Sequence, residues 1–233
     1  MIDRLSLRLS ATLLLAGQLL FILVTQLHAD GPANDHRTVF AEYANSGTWK
    51  AVHLGQFAAM AVLIAGLIAL YFALNPRAGA ARWAARFGVA SAVAALALYG
   101  ALQAVDGVAL KQAVDAWASA PAAEKAARFA SAETVRWLEW GVRSYQNFAL
   151  GISLLLFAAA GLRSASMPRP IGCLIGLSGL AYLAQGWVGE TEGFSRMHTI
   201  AIVCAFVLDL AWMTWLLAVA LRMPDADVAT SPS

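Results

Sequence analysis

Charged side chains are scarce in this sequence. They make up 13% of its 233 residues, while 60% are hydrophobic. Soluble domains carry about 25% charged residues, so an ordinary water-soluble globule is excluded. Neither sign dominates, because 16 Lys and Arg against 14 Asp and Glu leave a net charge of +2. No basic excess argues for nucleic acid, and none is expected as a partner. Cysteine is nearly missing as well. Cys173 and Cys204 are the two present, and their helical positions differ in depth by roughly 15–20 Å, too far for a disulfide. Both are expected to be packing residues. The strict signatures of catalysis are not there either: no HExxH, no paired CxxC, no phosphate loop, no nucleophile elbow and no dinucleotide fingerprint.

What the chain does have is long apolar runs. A helix needs about 20 mostly apolar residues to cross a bilayer core of about 30 Å. Six stretches qualify: residues 5–27, 51–74, 87–105, 143–162, 171–188 and 199–221. The expected fold is all-α, a polytopic membrane protein built as a bundle of six transmembrane helices and embedded in the lipid bilayer. The first run is read as a retained span, because its apolar part is long and the following QLHAD offers no small-x-small cleavage site.

Six spans put both termini on one side, together with two short loops. That side holds Arg4, Arg8, Arg77, Arg82, Arg86, Arg163, Arg169 and Arg222 against Asp3, Asp225 and Asp227. Arginines beside short loops favour the cytoplasm, so both termini are expected there. The bulk of the extramembrane chain then lies outside. Asn34 or Asp35 can cap a short helix running through Tyr43, and the Ala-rich stretch after Val108 reads as helix broken near Pro121. A single domain over 1–223 is expected, with loops 28–50 and 108–136 forming an extracytoplasmic helical cap and 224–233 a cytoplasmic polar tail. Trp49, Trp117, Trp137, Trp140 and Trp187 fall toward the outer interface, and Trp83, Trp212 and Trp215 toward the inner one, as two aromatic belts. Gly172/Gly176 and Gly100/Ala104 offer the small-xxx-small spacing of close helix contacts.

Polar residues recur at one depth. In the fourth span Glu139, Arg143, Gln146 and Ser153 fall within about 80° of one another at 100° per residue. The third aligns Tyr99, Gln103 and Asp106; the fifth aligns Ser178, Tyr182 and Gln185; the second pairs His53 with Gln56. A weak internal similarity lays AVHLGQF over GVRSYQN, which sets His53 against Arg143. His53, Arg143 and His198 each open an inward-running helix, whose positive dipole end favours an anion. Asp209 lies near the middle of the sixth span, about 16 Å below His198 at 1.5 Å per residue. A carboxylate at that depth must be paired, hydrated or protonated, which makes it a candidate proton or cation site.

The reading that follows is an outward-facing polar pocket that binds or transports a small polar or anionic ligand. Its candidate residues are His53, Gln56, Gln103, Asp106, Glu139, Arg143, Gln146, Tyr182, Gln185 and His198. A membrane enzyme or redox protein using the same residues is the first alternative. Haem held between His53 and His198 is conceivable, and His28, Asp30, Asp35, His36, Glu190 and Glu192 add metal-ligand types on the same side, though without a diagnostic spacing. The second alternative is an accessory subunit whose polar stripes only lock helices together.

The segments FAEYA, VHLGQF, LQAVDGVALKQAVDAW and VRWLEWGVRSY resemble a family of bacterial six-span membrane proteins known only as a domain of unknown function. The resemblance covers most of the chain. It implies the six-span topology and a bacterial inner-membrane setting, and it implies no activity.

The topology has a direct test. In a background without Cys173 and Cys204, an impermeant thiol reagent applied from outside should label Ser119→Cys and spare Ala165→Cys. The opposite pattern would overturn the orientation.

Overall fold

The structure is a computed structural model that describes residues 4–29, 31–74, 79–164 and 167–223. Asp3, Asp30, Arg77, Ala165, Asp225, Asp227 and the expected tail 224–233 lie outside the described residues. The described chain forms helices α1 (Arg4–Thr25), α2 (His36–Asn45), α3 (Trp49–Leu74), α4 (Gly79–Ala104), α5 (Lys111–Ala118), α6 (Lys125–Gly161), α7 (Arg169–Glu192) and α8 (Arg196–Arg222). A π-helical turn, Val105–Leu110, joins α4 to α5 without a break.

Six of these rods are long and apolar enough to cross a membrane. The Gly79–Ala118 rod has 40 residues and α6 has 37. At 1.5 Å per residue each is about 55–60 Å long, nearly twice the hydrocarbon core. Their surplus length stands beyond the apolar zone as a hairpin, turning at Pro121, and α2 packs on α5 there. Asp35 caps α2 as expected, its carboxylate accepting from the Thr38 amide at 3.3 Å.

Two cores result. The large one runs through the bundle and contains Leu14, Leu67, Leu70, Leu102, Phe157 and Ile171, among others. The small one belongs to the cap and combines Val39, Phe40 and Tyr43 with Trp49, Val114 and Trp117. Apolar side chains such as Leu23, Leu54, Phe72, Phe87, Leu180 and Val207 remain exposed on the outer surface. A bilayer supplies the apolar solvent those faces need.

Each spanning helix packs against the next in sequence, and α8 returns to α1. The Arg8 guanidinium helps close this ring by donating to the Ala220 carbonyl at 3.1 Å. Association inside lipid gains little from the hydrophobic effect, so close van der Waals contact and interhelical hydrogen bonds do the work. Serine supplies the bonds. Ser10 donates to Gly66 O at 2.9 Å, Ser91 to Ala149 O at 2.7 Å and Ser153 to Gly88 O at 2.8 Å. Glycine supplies the closeness, most clearly where Gly151 and Gly179 face each other between α6 and α7.

Two readings of the sequence change here. Trp49 and Trp212 are buried instead of joining interfacial belts, because each indole N–H has a buried acceptor: Asp106 O for Trp49 and Asp209 Oδ1 for Trp212. Cys173 and Cys204 are exposed on the outer surface, not packed inside.

A methyl group added at Gly179 would lie 2.8 Å from the Gly151 carbonyl oxygen, whereas one added at Gly141 would meet nothing within 4 Å. Gly179→Ala should therefore lose about 1–3 kcal/mol to overpacking, outweighing the gain in helix propensity of about 1 kcal/mol. Gly141→Ala keeps the propensity gain alone. Thermal unfolding in detergent should lower the Tm of the first variant and not of the second; equal behaviour would contradict this packing.

Candidate functional site

Arg136, Glu139 and Arg143 occupy positions i, i+3 and i+7 of α6, so they share one helix face. That face points into the bundle just below the cap. Glu139 has no exposed surface and Arg136 is 2% exposed. An ion brought this deep is costly unless every oxygen and nitrogen finds a partner.

The partners form a chain across the bundle. Arg136 Nη1 donates to Glu139 Oε2 at 2.5 Å, and Arg143 Nη2 donates to Glu139 Oε1 at 3.2 Å. Arg143 Nη2 also donates to Asp106 Oδ2 at 3.3 Å. That same oxygen lies 3.2 Å from His53 Nε2, while His53 Nδ1 bonds the Trp49 carbonyl at 2.7 Å. A nitrogen facing a carbonyl carries a hydrogen, so the contact with Asp106 is satisfied only when one further proton sits between ring and carboxylate.

The backbone is shaped for this chain. Asp106 belongs to the π-helical turn, and its own carbonyl accepts the Trp49 indole at 3.1 Å. A single π turn inside an α-helix realigns the side chains beyond it and is frequent at functional sites. Gly107 lets the turn approach α3, since a Cβ there would lie 2.8 Å from the Cβ of His53.

A cavity of about 680 Å³ opens beside the chain, at the end of the bundle that carries the cap. Thr25, His28, Gln56, Asp106, Arg143 and His198 are among the residues that line it. Phe194 forms part of the wall and lies under both guanidiniums, 4.5 Å from Arg136 and 5.1 Å from Arg143 by ring centroid. Its position is fixed by Asn34, which accepts from the Phe194 amide at 2.9 Å and donates to Glu192 O at 3.0 Å. Arg136 Nη2 reaches the Ala33 carbonyl at 3.2 Å, and its guanidinium also stands over the Tyr43 ring. In the cap, burial pushes the Tyr43 hydroxyl up to about 12 and holds the His28 imidazole below its ordinary range.

The sequence-derived candidates divide into three places. Gln56, Asp106, Glu139, Arg143 and His198 line the cavity. His53 sits behind Asp106 and, with Gln103, borders a separate apolar groove between α3 and α4. Gln146, Tyr182 and Gln185 are buried in the bundle and are not part of the cavity wall. Asp209 is buried and faces its interior neighbours: Tyr182 donates to Oδ2 at 2.9 Å and Trp212 to Oδ1 at 3.0 Å. An iron held axially by His53 and His198 gains nothing from this arrangement, because His53 Nε2 is aimed at Asp106. Ser153, aligned with the charged stripe, bonds a neighbouring backbone instead.

Arg136, Tyr43 and Phe194 belong to the site, although only Arg136 carried a readable signal. Its spacing from Glu139 and Arg143 places it on the same face. Phe194 and Tyr43 are distant in sequence and meet the arginines only through the fold.

This fold and its buried ionic chain define a multi-pass α-helical membrane protein with a polar site at one end of its bundle. The chain belongs to the family described as domain of unknown function (DUF4386), whose profile matches residues 9–220. No curated protein and no solved structure matches it.

Removing one member of a buried pair leaves an uncompensated charge. Among the described residues, Glu139→Gln would leave Arg136 without a carboxylate partner and Arg143 with Asp106 alone. It should lose about 3–5 kcal/mol in detergent unfolding measurements, and loss below about 1 kcal/mol, the range of exposed pairs, would show that the chain is not closed to water.

Proposed function

We propose that this protein binds a small anionic solute, of the carboxylate or phosphate class, in the cavity beneath its cap, with the capped end facing outward. The observation that carries the reading is the state of Arg143. One of its terminal nitrogens is shared by Asp106 and Glu139, and a quarter of the side chain is exposed where it meets the cavity. A guanidinium held this way keeps donors in hand for a planar or tetrahedral anion. The buried His198 Nε2 lacks a partner and belongs to a residue of the same wall.

The two carboxylates serve the binding as well. They neutralise Arg136 and Arg143 when the cavity holds water, so the arginines can stay buried. They also set a limit on affinity, because an incoming anion competes with Asp106 and Glu139 for the same donors. Selectivity for small solutes follows from the volume, which is at the scale of pockets for small molecules. Asp209, held between Tyr182 and Trp212, is the buried carboxylate that a proton-coupled transport version of this function would use.

Purified protein in nanodiscs should be titrated with acetate, succinate, sulfate and inorganic phosphate. At least one should raise the Tm in a saturable way, as a ligand of the native state must. Arg143→Lys keeps the charge but loses the fork, and should weaken that binding about tenfold or more, or roughly 1.4 kcal/mol. Absence of any saturable shift, or equal binding by the lysine variant, would overturn the proposal.

A further inference from the structure

We infer that His28, His53 and Asp106 form a binding site for one divalent first-row transition-metal ion, set in the wall between the cavity and α3. The inference goes beyond the anion reading and does not rest on it. One ligand atom from each of the three residues lies within 4.8 Å of the others. They come from three separate parts of the chain: the turn after α1, the first turns of α3, and the π-helical segment. Nothing in local sequence forces them together.

The two imidazoles are oriented as metal ligands are. His28 Nδ1 lies 2.8 Å from the Ala29 carbonyl and His53 Nδ1 lies 2.7 Å from the Trp49 carbonyl. In metal sites the ring nitrogen away from the ion commonly donates to a carbonyl, which fixes the tautomer and leaves the other nitrogen's lone pair for the metal. The remaining nitrogen of each ring is Nε2. That of His53 is buried and, at 3.2 Å from Asp106 Oδ2, makes no well-aligned hydrogen bond. The rings themselves are 5.2 Å apart by centroid, so neither needs to move far to share an ion.

The third ligand supplies the independent observation. Asp106 is 2% exposed, and its Oδ1 is buried with no hydrogen-bond partner. A bare carboxylate oxygen in such a place is expensive. Its other oxygen already accepts from Arg143, with His53 Nε2 3.2 Å away. A cation at Oδ1 removes that deficit.

The donor set selects the ion. Two imidazoles and one carboxylate suit zinc or iron(II), whereas calcium and magnesium require oxygen donors and copper(I) prefers sulfur. Three protein ligands leave at least one coordination position open, and His28 and Asp106 both belong to the cavity wall. The adverse neighbour is Arg143, whose Nη2 is 3.3 Å from Asp106 Oδ2. Glu139 sits 3.2 Å from the same group and retains it when the ion takes Asp106.

The test uses the full chain, purified without a histidine tag and stripped with a chelator. Zinc(II) in competition with a chromophoric chelator should bind at one ion per chain, and cobalt(II) should give visible d–d absorption. His28→Ala should weaken zinc binding by at least the roughly tenfold to hundredfold that outer-shell partners alone contribute. His53 and Asp106 also hold the fold, so His28→Cys provides the second arm. Its cobalt(II) complex should gain a thiolate charge-transfer band in the near ultraviolet, which a change in stability cannot produce. Zinc binding equal in wild type and His28→Ala, or no new band with His28→Cys, would overturn the site.

Discussion

Glu139 is a carboxylate with no exposed surface, placed near the junction of membrane and cap, and its two oxygens are held by Arg136 and Arg143. Arg136 and Glu139 are almost wholly buried and Arg143 is three-quarters buried, so each depends on the others. The arrangement extends well past α6. Arg136 reaches the loop after α1 through Ala33 and touches the cap and the α7–α8 turn through Tyr43 and Phe194. Arg143 reaches the π-helical turn through Asp106, and Asp106 reaches α3 through His53 and Trp49. One buried anion therefore ties together segments from nearly every part of the chain. Such a network gives little net stability compared with apolar packing of the same volume, but it permits few alternative arrangements.

That economy explains why a charged site exists in so apolar a chain. Serines and glycines are enough to pack the ring of helices, as the Ser10, Ser91 and Ser153 bonds and the Gly151–Gly179 contact show. None of these contacts needs an ion. The ionic chain lies instead where α6 and the α4–α5 rod leave the apolar zone and the cap begins. A position at a wet margin lowers the cost of burial and leaves room for a solute, and the cavity opens on that side.

The membrane class and the six spans were legible because a bilayer imposes a length and a composition on each helix, and both are local properties. The stripe on α6 was legible for the same reason through Glu139 and Arg143, although Arg136, one turn earlier, was not counted in it. Asp106, His53 and His198 already stood among the candidates for one pocket, but the aromatic residues that meet the arginines could not be read. Phe194 shows no polar signal, and its place depends on Asn34, 160 positions earlier. Trp49 and Trp212 misled because composition marks tryptophan as interfacial, whereas each has a specific buried acceptor created by the fold. Cys173 and Cys204 misled in the opposite sense: a small apolar residue is as well accommodated against lipid as inside. His28 was visible as one of several outer ligand types, but its nearness to His53 and Asp106 is a tertiary fact.

Two polar layers are separated by rings. The upper layer is the chain that contains Asp106 and Arg143; the lower one is Asp209 with Tyr182 and Trp212. Between them in helix position stand Phe21, Tyr99 and Phe206, with Phe21 6.0 Å from each of the other two by ring centroid. Phe21 is one turn of α1 below Thr25, and Phe206 is two turns of α8 below His198, so both lie beneath residues of the cavity wall. Tyr99 is almost completely buried. These side chains belong to three different helices, α1, α4 and α8, and they tie those helices together between the two polar layers. The Arg8–Ala220 bond that helps close α1 against α8 lies at the opposite end of the bundle.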